Sequence, residues 1–141
     1  MSFKEWEAVV SIIAASLIGA WVVFEALTNP PATVAAVASR LLWAILYGVL
    51  INIAAMIVTA IFVSIARRAE FKDEAADERD KAVGMRAMRN GYVVASIAGI
   101  VSLFYLAFGF DPSVAAYVLF GGLMLAGVVD SASRLIYYRI G

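Results

Sequence analysis

Four apolar runs dominate the chain, at residues 6–28, 41–66, 91–110 and 113–138. Each is near or above the ~20 residues an α-helix needs to cross the hydrocarbon of a bilayer. Inside lipid every backbone N–H and C=O must be satisfied within the segment, so runs of this length predict helices. The second and fourth exceed what a bilayer requires, which predicts tilt or projection beyond it. The excess of apolar residues points the same way. They make up 64% of the chain and charged residues 16%, against roughly 45 to 50% apolar usage in soluble domains. A water-soluble chain of this size hides only about two-thirds of its unfolded surface. The expectation is a single membrane domain over residues 1–141, an all-α integral membrane four-helix bundle with the lipid bilayer as its solvent.

The first run begins only a few residues in, as a secretory signal would. Glu5 and Glu7 offset Lys4 ahead of it, however, and it is much longer than the roughly 7 to 15 residues of a signal's apolar region. It is read as a retained helix.

The connections set the topology. Asn29, Pro30 and Pro31 stop the first helix, because proline lacks a donor and restricts the residue before it. The connection over residues 29–39 is then rich in Ala and Val, suited to lying partly in the interface. Asp111, Pro112 and Ser113 read as a tight turn leading into a helix N-terminus, which makes the third and fourth helices an antiparallel hairpin. Between the second and third lie residues 67–90, with Arg67, Arg68, Lys72, Arg79, Lys81, Arg86 and Arg89 among the chain's 11 basic residues. By the positive-inside rule this loop is cytoplasmic. Lys4, Arg134 and Arg139 fall on the same side and only Arg40 near the other, giving an up-down-up-down order with both termini cytoplasmic.

The central loop also carries Glu70, Asp73, Glu74, Asp77, Glu78 and Asp80, lacks proline, and is dense in helix formers. Asp77 and Lys81 sit at i, i+4 in the favourable order, and Met85, Met88 and Tyr92 make an apolar stripe. The third helix is therefore expected to begin below the membrane, near Asp77. Like charges one turn apart among Asp73, Glu74, Asp77 and Glu78 admit two readings, a hard-cation site or a solvated, arginine-paired face. With no calcium-loop glycine, the second is preferred and no metal is expected.

Other functions are narrowed by what the chain lacks. It has no cysteine and no histidine, which removes disulfides, thiol chemistry, imidazole ligation and histidine-held haem. A formal net charge of zero provides no field for nucleic acid. No phosphate-binding loop, nucleotide fingerprint, serine elbow or zinc spacing occurs. Neither a catalytic residue nor a cofactor is expected.

Small residues recur at four-residue spacing in each span: Ser11, Ala15 and Gly19; Ala44 and Gly48; Gly91, Ala95 and Gly99; Gly122 and Ala126. Such stripes let helix backbones approach closely, within one chain or across a homo-oligomer. Two of them run on into polar residues, Asn52 in the second span and then Asp130 and Arg134 in the fourth, which should face protein rather than lipid. A carboxylate in hydrocarbon costs several kcal/mol unless paired or protonated, so Asp130 is a functional candidate by default. Its plain alternative is a structural counter-ion for Arg134, Arg86 or Arg89. Glu25, near the external end of the first helix, is read as interfacial.

Asp77, Glu78, Arg79 and Asp80, continuing through Arg86, Arg89, Asn90, Gly91 and Tyr92 into a span, resemble the juxtamembrane DER motif of an uncharacterised family of small prokaryotic four-span membrane proteins. The likeness covers about a fifth of the chain and implies the four-span fold but no activity. The residues add a physical reading: Asp77, Glu78 and Asp80 complement a helix N-terminus, while Arg86 and Arg89 meet headgroups. The segment is then the communicating surface of the protein, docking on its own arginines or on a cytoplasmic partner.

The function expected from all this is a non-enzymatic structural, accessory or regulatory component of a bacterial inner membrane, with a second copy or another membrane protein as partner. The alternative is a small transporter or channel formed by an oligomer, with a polar path through Asn52, Asp130 and Arg134. The small multidrug transporters also have four spans, but their first-span glutamate is central and they lack such a loop.

Overall fold

A computed structural model describes residues 3–67 and 78–140, and these form four α-helices: α1 Phe3–Thr28, α2 Val34–Arg67, α3 Glu78–Ala107 and α4 Pro112–Ile140. No strand occurs among the described residues. All four helices are long and apolar enough to cross a membrane.

The helix ends follow local chemistry. At the end of α1 the Thr28 hydroxyl donates to the Phe24 carbonyl at 2.8 Å and Asn29 N–H to the Glu25 carbonyl at 2.9 Å, after which the two prolines forbid another turn. The second helix starts at Val34, seven residues before the apolar run that predicted it. Thr33 provides the cap: its Oγ1 accepts from Ala36 N–H at 3.2 Å. The Ala- and Val-rich stretch expected as interfacial connection is thus the first two turns of α2, a helix of 34 residues. At ~1.5 Å per residue it is ~51 Å long, far beyond a ~30 Å hydrocarbon layer.

The third helix begins at Glu78, beside the expected start. Asp77, with the rest of residues 68–77, lies outside the described residues. Its other end is at Ala107, three residues short of the predicted run, because Gly109 adopts φ +74°. Gly109 N–H then donates to the Leu106 carbonyl at 3.1 Å and Phe110 N–H to the Tyr105 carbonyl at 3.0 Å. This is the Schellman pattern, complete with its apolar contact, the Tyr105 and Phe110 rings lying 5.3 Å apart. Asp111 then caps α4, its Oδ1 accepting from Ser113 N–H at 2.8 Å with Pro112 as first helical residue, as the Asp-Pro-Ser reading predicted.

α4 is the hub. It packs on α1, α2 and α3, whereas α3 touches neither α1 nor α2. The expected bundle is therefore open on one side, with α3 a flank on α4. Small residues explain the closeness of that flank: a Cβ on Gly122 would overlap the Ala98 methyl, and one on Gly91 would stand 3.0 Å from the Ala126 carbonyl oxygen. Not every residue of the expected stripes takes part. Cβ atoms on Gly19 and Gly99 would meet nothing. The buried faces are instead Ala14, Ile18 and Val22 on α1 and Ala98 and Ser102 on α3, with the same four-residue spacing but one residue, about 100° of rotation, away from Ala15, Gly19 and Gly99.

The helices alternate in direction. The starts of α1 and α3 and the end of α4 meet at one end of the molecule, hereafter the terminal end. At the opposite end, Ile18 and Val22 of α1, Val37, Leu41 and Ala44 of α2 and Phe120 of α4 form one buried cluster. Trp43 and Tyr47 of α2 stack with centroids 5.7 Å apart, and Trp21 of α1 meets Tyr47 edge-on at 6.3 Å. Aromatic rings at that level match the belt that marks a membrane interface.

Candidate functional site

Polar side chains gather at the terminal end, along one stripe of α4. Asp130, Arg134 and Tyr138 are spaced i, i+4, i+8 and continue the line of Gly122 and Ala126. Because Gly91 has no side chain, α3 lies close enough for a Cβ there to stand 3.2 Å from Asp130 Cβ. The carboxylate is thereby held where α3, α4 and α1 converge.

Arg134 Nε donates to Asp130 Oδ2 at 3.0 Å, closing an i, i+4 ion pair. The other carboxylate oxygen, Oδ1, is buried and has no hydrogen-bond partner among the described residues. A buried acceptor of this kind normally finds a donor. Beside the pair is a cavity of about 150 Å³ lined by Glu7, Ala8, Ser11, Asp130, Ser131, Arg134 and Tyr138. Glu7 has no ion-pair or hydrogen-bond partner among the described residues. The cavity thus combines two carboxylates, one guanidinium and three hydroxyls.

A second polar layer lies nearer the helix ends. Arg79 Nη2 donates to the Tyr138 carbonyl at 3.3 Å, filling one of the carbonyls a helix C-terminus leaves open. The Tyr138 hydroxyl donates to Asp80 Oδ1 at 2.9 Å. Two consecutive residues of the juxtamembrane motif therefore clamp one tyrosine. Glu78, Arg86 and Arg89 are exposed, as are Met85, Met88 and Tyr92, so the expected apolar stripe of α3 points away from its own chain. Asn90 makes the next contact inward, its Nδ2 donating to Ser133 Oγ and to Tyr137 Oη, both at 3.0 Å.

Asn52 is on a different helix pair. Its Nδ2 donates to Ser11 Oγ at 3.3 Å, joining α2 to α1. On the same side runs a groove of about 350 Å³, lined mainly by small and aliphatic side chains between Ser11 and Ile18 of α1 and between Ala44 and Ile53 of α2, with Met124 of α4. Glu25 is at the opposite end, where Arg40 Nη1 stands 3.5 Å from its Oε2 and donates to the Asn29 carbonyl at 2.7 Å. The structure therefore brings Asp130 and Arg134 together, links Asn52 to the same region through Ser11, and separates Glu25 from both.

Glu7, Ser11, Ser131, Ser133, Tyr137 and Tyr138 were not singled out as site residues by sequence reasoning. For Tyr138 a signal existed, since it prolongs the Asp130 and Arg134 stripe by one step. For Ser11 none did, because serine also fits a small-residue stripe. No family model, no curated protein and no solved structure matches this chain.

Proposed function

We propose that this chain is a multi-pass protein of a bacterial inner membrane with both termini in the cytoplasm, acting as a non-enzymatic accessory or regulatory component that associates laterally with a second copy or another membrane protein. The observation that carries this reading is α2. It is apolar on every side, touches α3 nowhere, and has no buried residue between positions 45 and 65. A helix apolar all round suits a lipid or protein environment and not water. The small residues Ala55, Thr59, Ala60 and Ser64 leave it able to approach another helix closely. The described basic residues support the orientation: Arg79, Lys81, Arg86, Arg89, Arg134 and Arg139 belong to the terminal end and Arg40 to the other.

Most intramembrane polar groups are engaged within the chain, Asn52 with Ser11, Asn90 with Ser133 and Tyr137, and Asp130 with Arg134. Polarity engaged within the chain, and in the two asparagine contacts spent on joining helices, favours a structural role over a passage. The competing reading, a small transporter or channel, draws on one observation, the unpartnered Asp130 Oδ1 next to a polar cavity.

Cross-linking and purification in mild detergent test the choice. The chain lacks cysteine, so single cysteines at Ala55, Thr59, Ala60 and Ser64 report without background. Cross-links from any of these positions, to a copy or to a co-purifying membrane protein, support lateral association. A lone chain whose ion flux in vesicles is abolished by Asp130→Asn overturns it.

A further inference from the structure

The polar cavity and the apolar groove share one residue, Ser11, and their positions along the helices are continuous. Glu7 and Tyr138 lie near the terminal end. Asp130 is ten residues from the end of α4, ~15 Å deep at helical rise. The groove begins at that depth and continues two turns further to Ile18, ~10 Å. A polar chamber reaching inward from the terminal end thus opens into an apolar channel that continues along the helices. That is the outline of an amphiphile with a polar head and an acyl chain.

Charge selects the head. Asp130 and Arg134 neutralise one another, so Glu7 leaves the chamber net negative and disfavours an anionic headgroup. Glu7, with Ser11 and Ser131 beside it, accepts from an ammonium group. Only Nε of Arg134 is taken by Asp130, so its Nη groups remain for a phosphate, which guanidinium binds well. At about 150 Å³ the chamber is also some ten times the ~15 Å³ that admits a single water. We propose that Glu7, Ser11, Ser131 and Arg134, with the groove between α1 and α2, bind one zwitterionic phospholipid bearing a primary ammonium, the head in the polar chamber and one acyl chain along Ala15 and Gly48.

The site presupposes membrane insertion, and the test separates the two. The full chain is reconstituted in bilayers containing equal parts phosphatidylethanolamine, phosphatidylglycerol and phosphatidylcholine, then extracted gently, and its retained lipid is identified by native mass spectrometry. The wild-type chain retains phosphatidylethanolamine about tenfold over the other two, the effect of one charge-assisted hydrogen bond. Glu7→Gln brings the three lipids to parity. Gly48→Leu, whose Cβ makes only ordinary contact with Ile18 at 3.7 Å, fills the groove and lowers retention of all three, in a chain whose helicity and elution are unchanged. Equal retention of the three by the wild-type chain, or full retention by Gly48→Leu, overturns the proposal. Release of the chain from vesicles by alkaline carbonate overturns insertion itself.

Discussion

Adding one methyl at Gly122 should pry the α3–α4 hairpin apart. The Ala98 methyl already occupies the place where that Cβ would stand, and behind it the Ala98 Cα lies 3.4 Å away. Neither atom is the end of a flexible side chain, so relief requires one helix backbone to move. Overpacking of this kind costs roughly 1 to 3 kcal/mol. Gly91→Ala is milder: the new Cβ lies 3.0 Å from the Ala126 carbonyl oxygen and 3.2 Å from Asp130 Cβ, which asks for a few tenths of an ångström, and its cost falls near ~1 kcal/mol. Gly99→Ala and Gly121→Ala meet nothing and, since alanine is the better helix former, leave stability unchanged or raise it by up to ~1 kcal/mol. The measurement is detergent-driven unfolding of the purified chain in mixed micelles, followed by far-ultraviolet circular dichroism. The order of loss should be Gly122, then Gly91, then the two open positions together.

The rescue is the sharper half. Ala98→Gly removes the obstructing methyl, so in the double variant the methyl has only crossed the interface. Residues in contact couple by roughly 0.5 to 3 kcal/mol, and the pair should recover most of the loss. If Gly122→Ala behaves like Gly121→Ala, or if Ala98→Gly restores nothing, then the small residues do not set the α3–α4 distance and the hub arrangement of α4 loses its basis.

Asn52→Leu removes the single described link from that side chain to Ser11 and should cost about 0.6 kcal/mol, the average for interhelical hydrogen bonds in membranes, in the same unfolding assay. Arg40→Ala should destabilise more than Glu25→Gln, because Arg40 also closes the α1–α2 connection through the Asn29 carbonyl. Both changes should stay near or below ~1 kcal/mol, with the Glu25 effect fading in high salt, as for partly exposed ion pairs. Single cysteines at Ala75 and at Ala32 should be labelled by an impermeant thiol reagent from opposite sides of a sealed vesicle, since the first is in the basic loop and the second beside the α1–α2 turn.

Helix number and class were legible because run length and composition are one-dimensional quantities. So were the Asp111 cap and the start of α3, which rest on local chemistry. Two ends were misplaced for opposite reasons. At Thr33 a cap and a run of Ala and Val extend a helix whose apolar pattern begins later. At Gly109 a positive φ stops one inside an apolar run. Partner identity was hardest to read. Whether Gly99 or Ala98 faces α4 depends on helix rotation, and the two residues are adjacent in sequence. Glu7 and Ser11 join Asp130 only because α1 passes beside the end of α4, a fact of tertiary packing with no local trace.

The concentration of polar groups on one end of α4 has a physical reason. Lipid supplies no hydrophobic drive to bring helices together, so their register rests on close backbone approach and interhelical hydrogen bonds. Near the opposite end a cluster of Ile18, Val22, Val37, Leu41 and Phe120 interlocks α1, α2 and α4 through bulk. At the terminal end small residues prevail, and bonds donated by Asn90 and Arg79 to α4, with the one Asp80 accepts from Tyr138, set how α3 lies on it. Where the packing residues are small, bulk cannot also fill the space between α1 and α4, and the cavity beside Asp130 is what remains. The polar chamber is thus a consequence of how this end is held together, and a change that tightened the terminal end with large apolar side chains would remove the chamber as well.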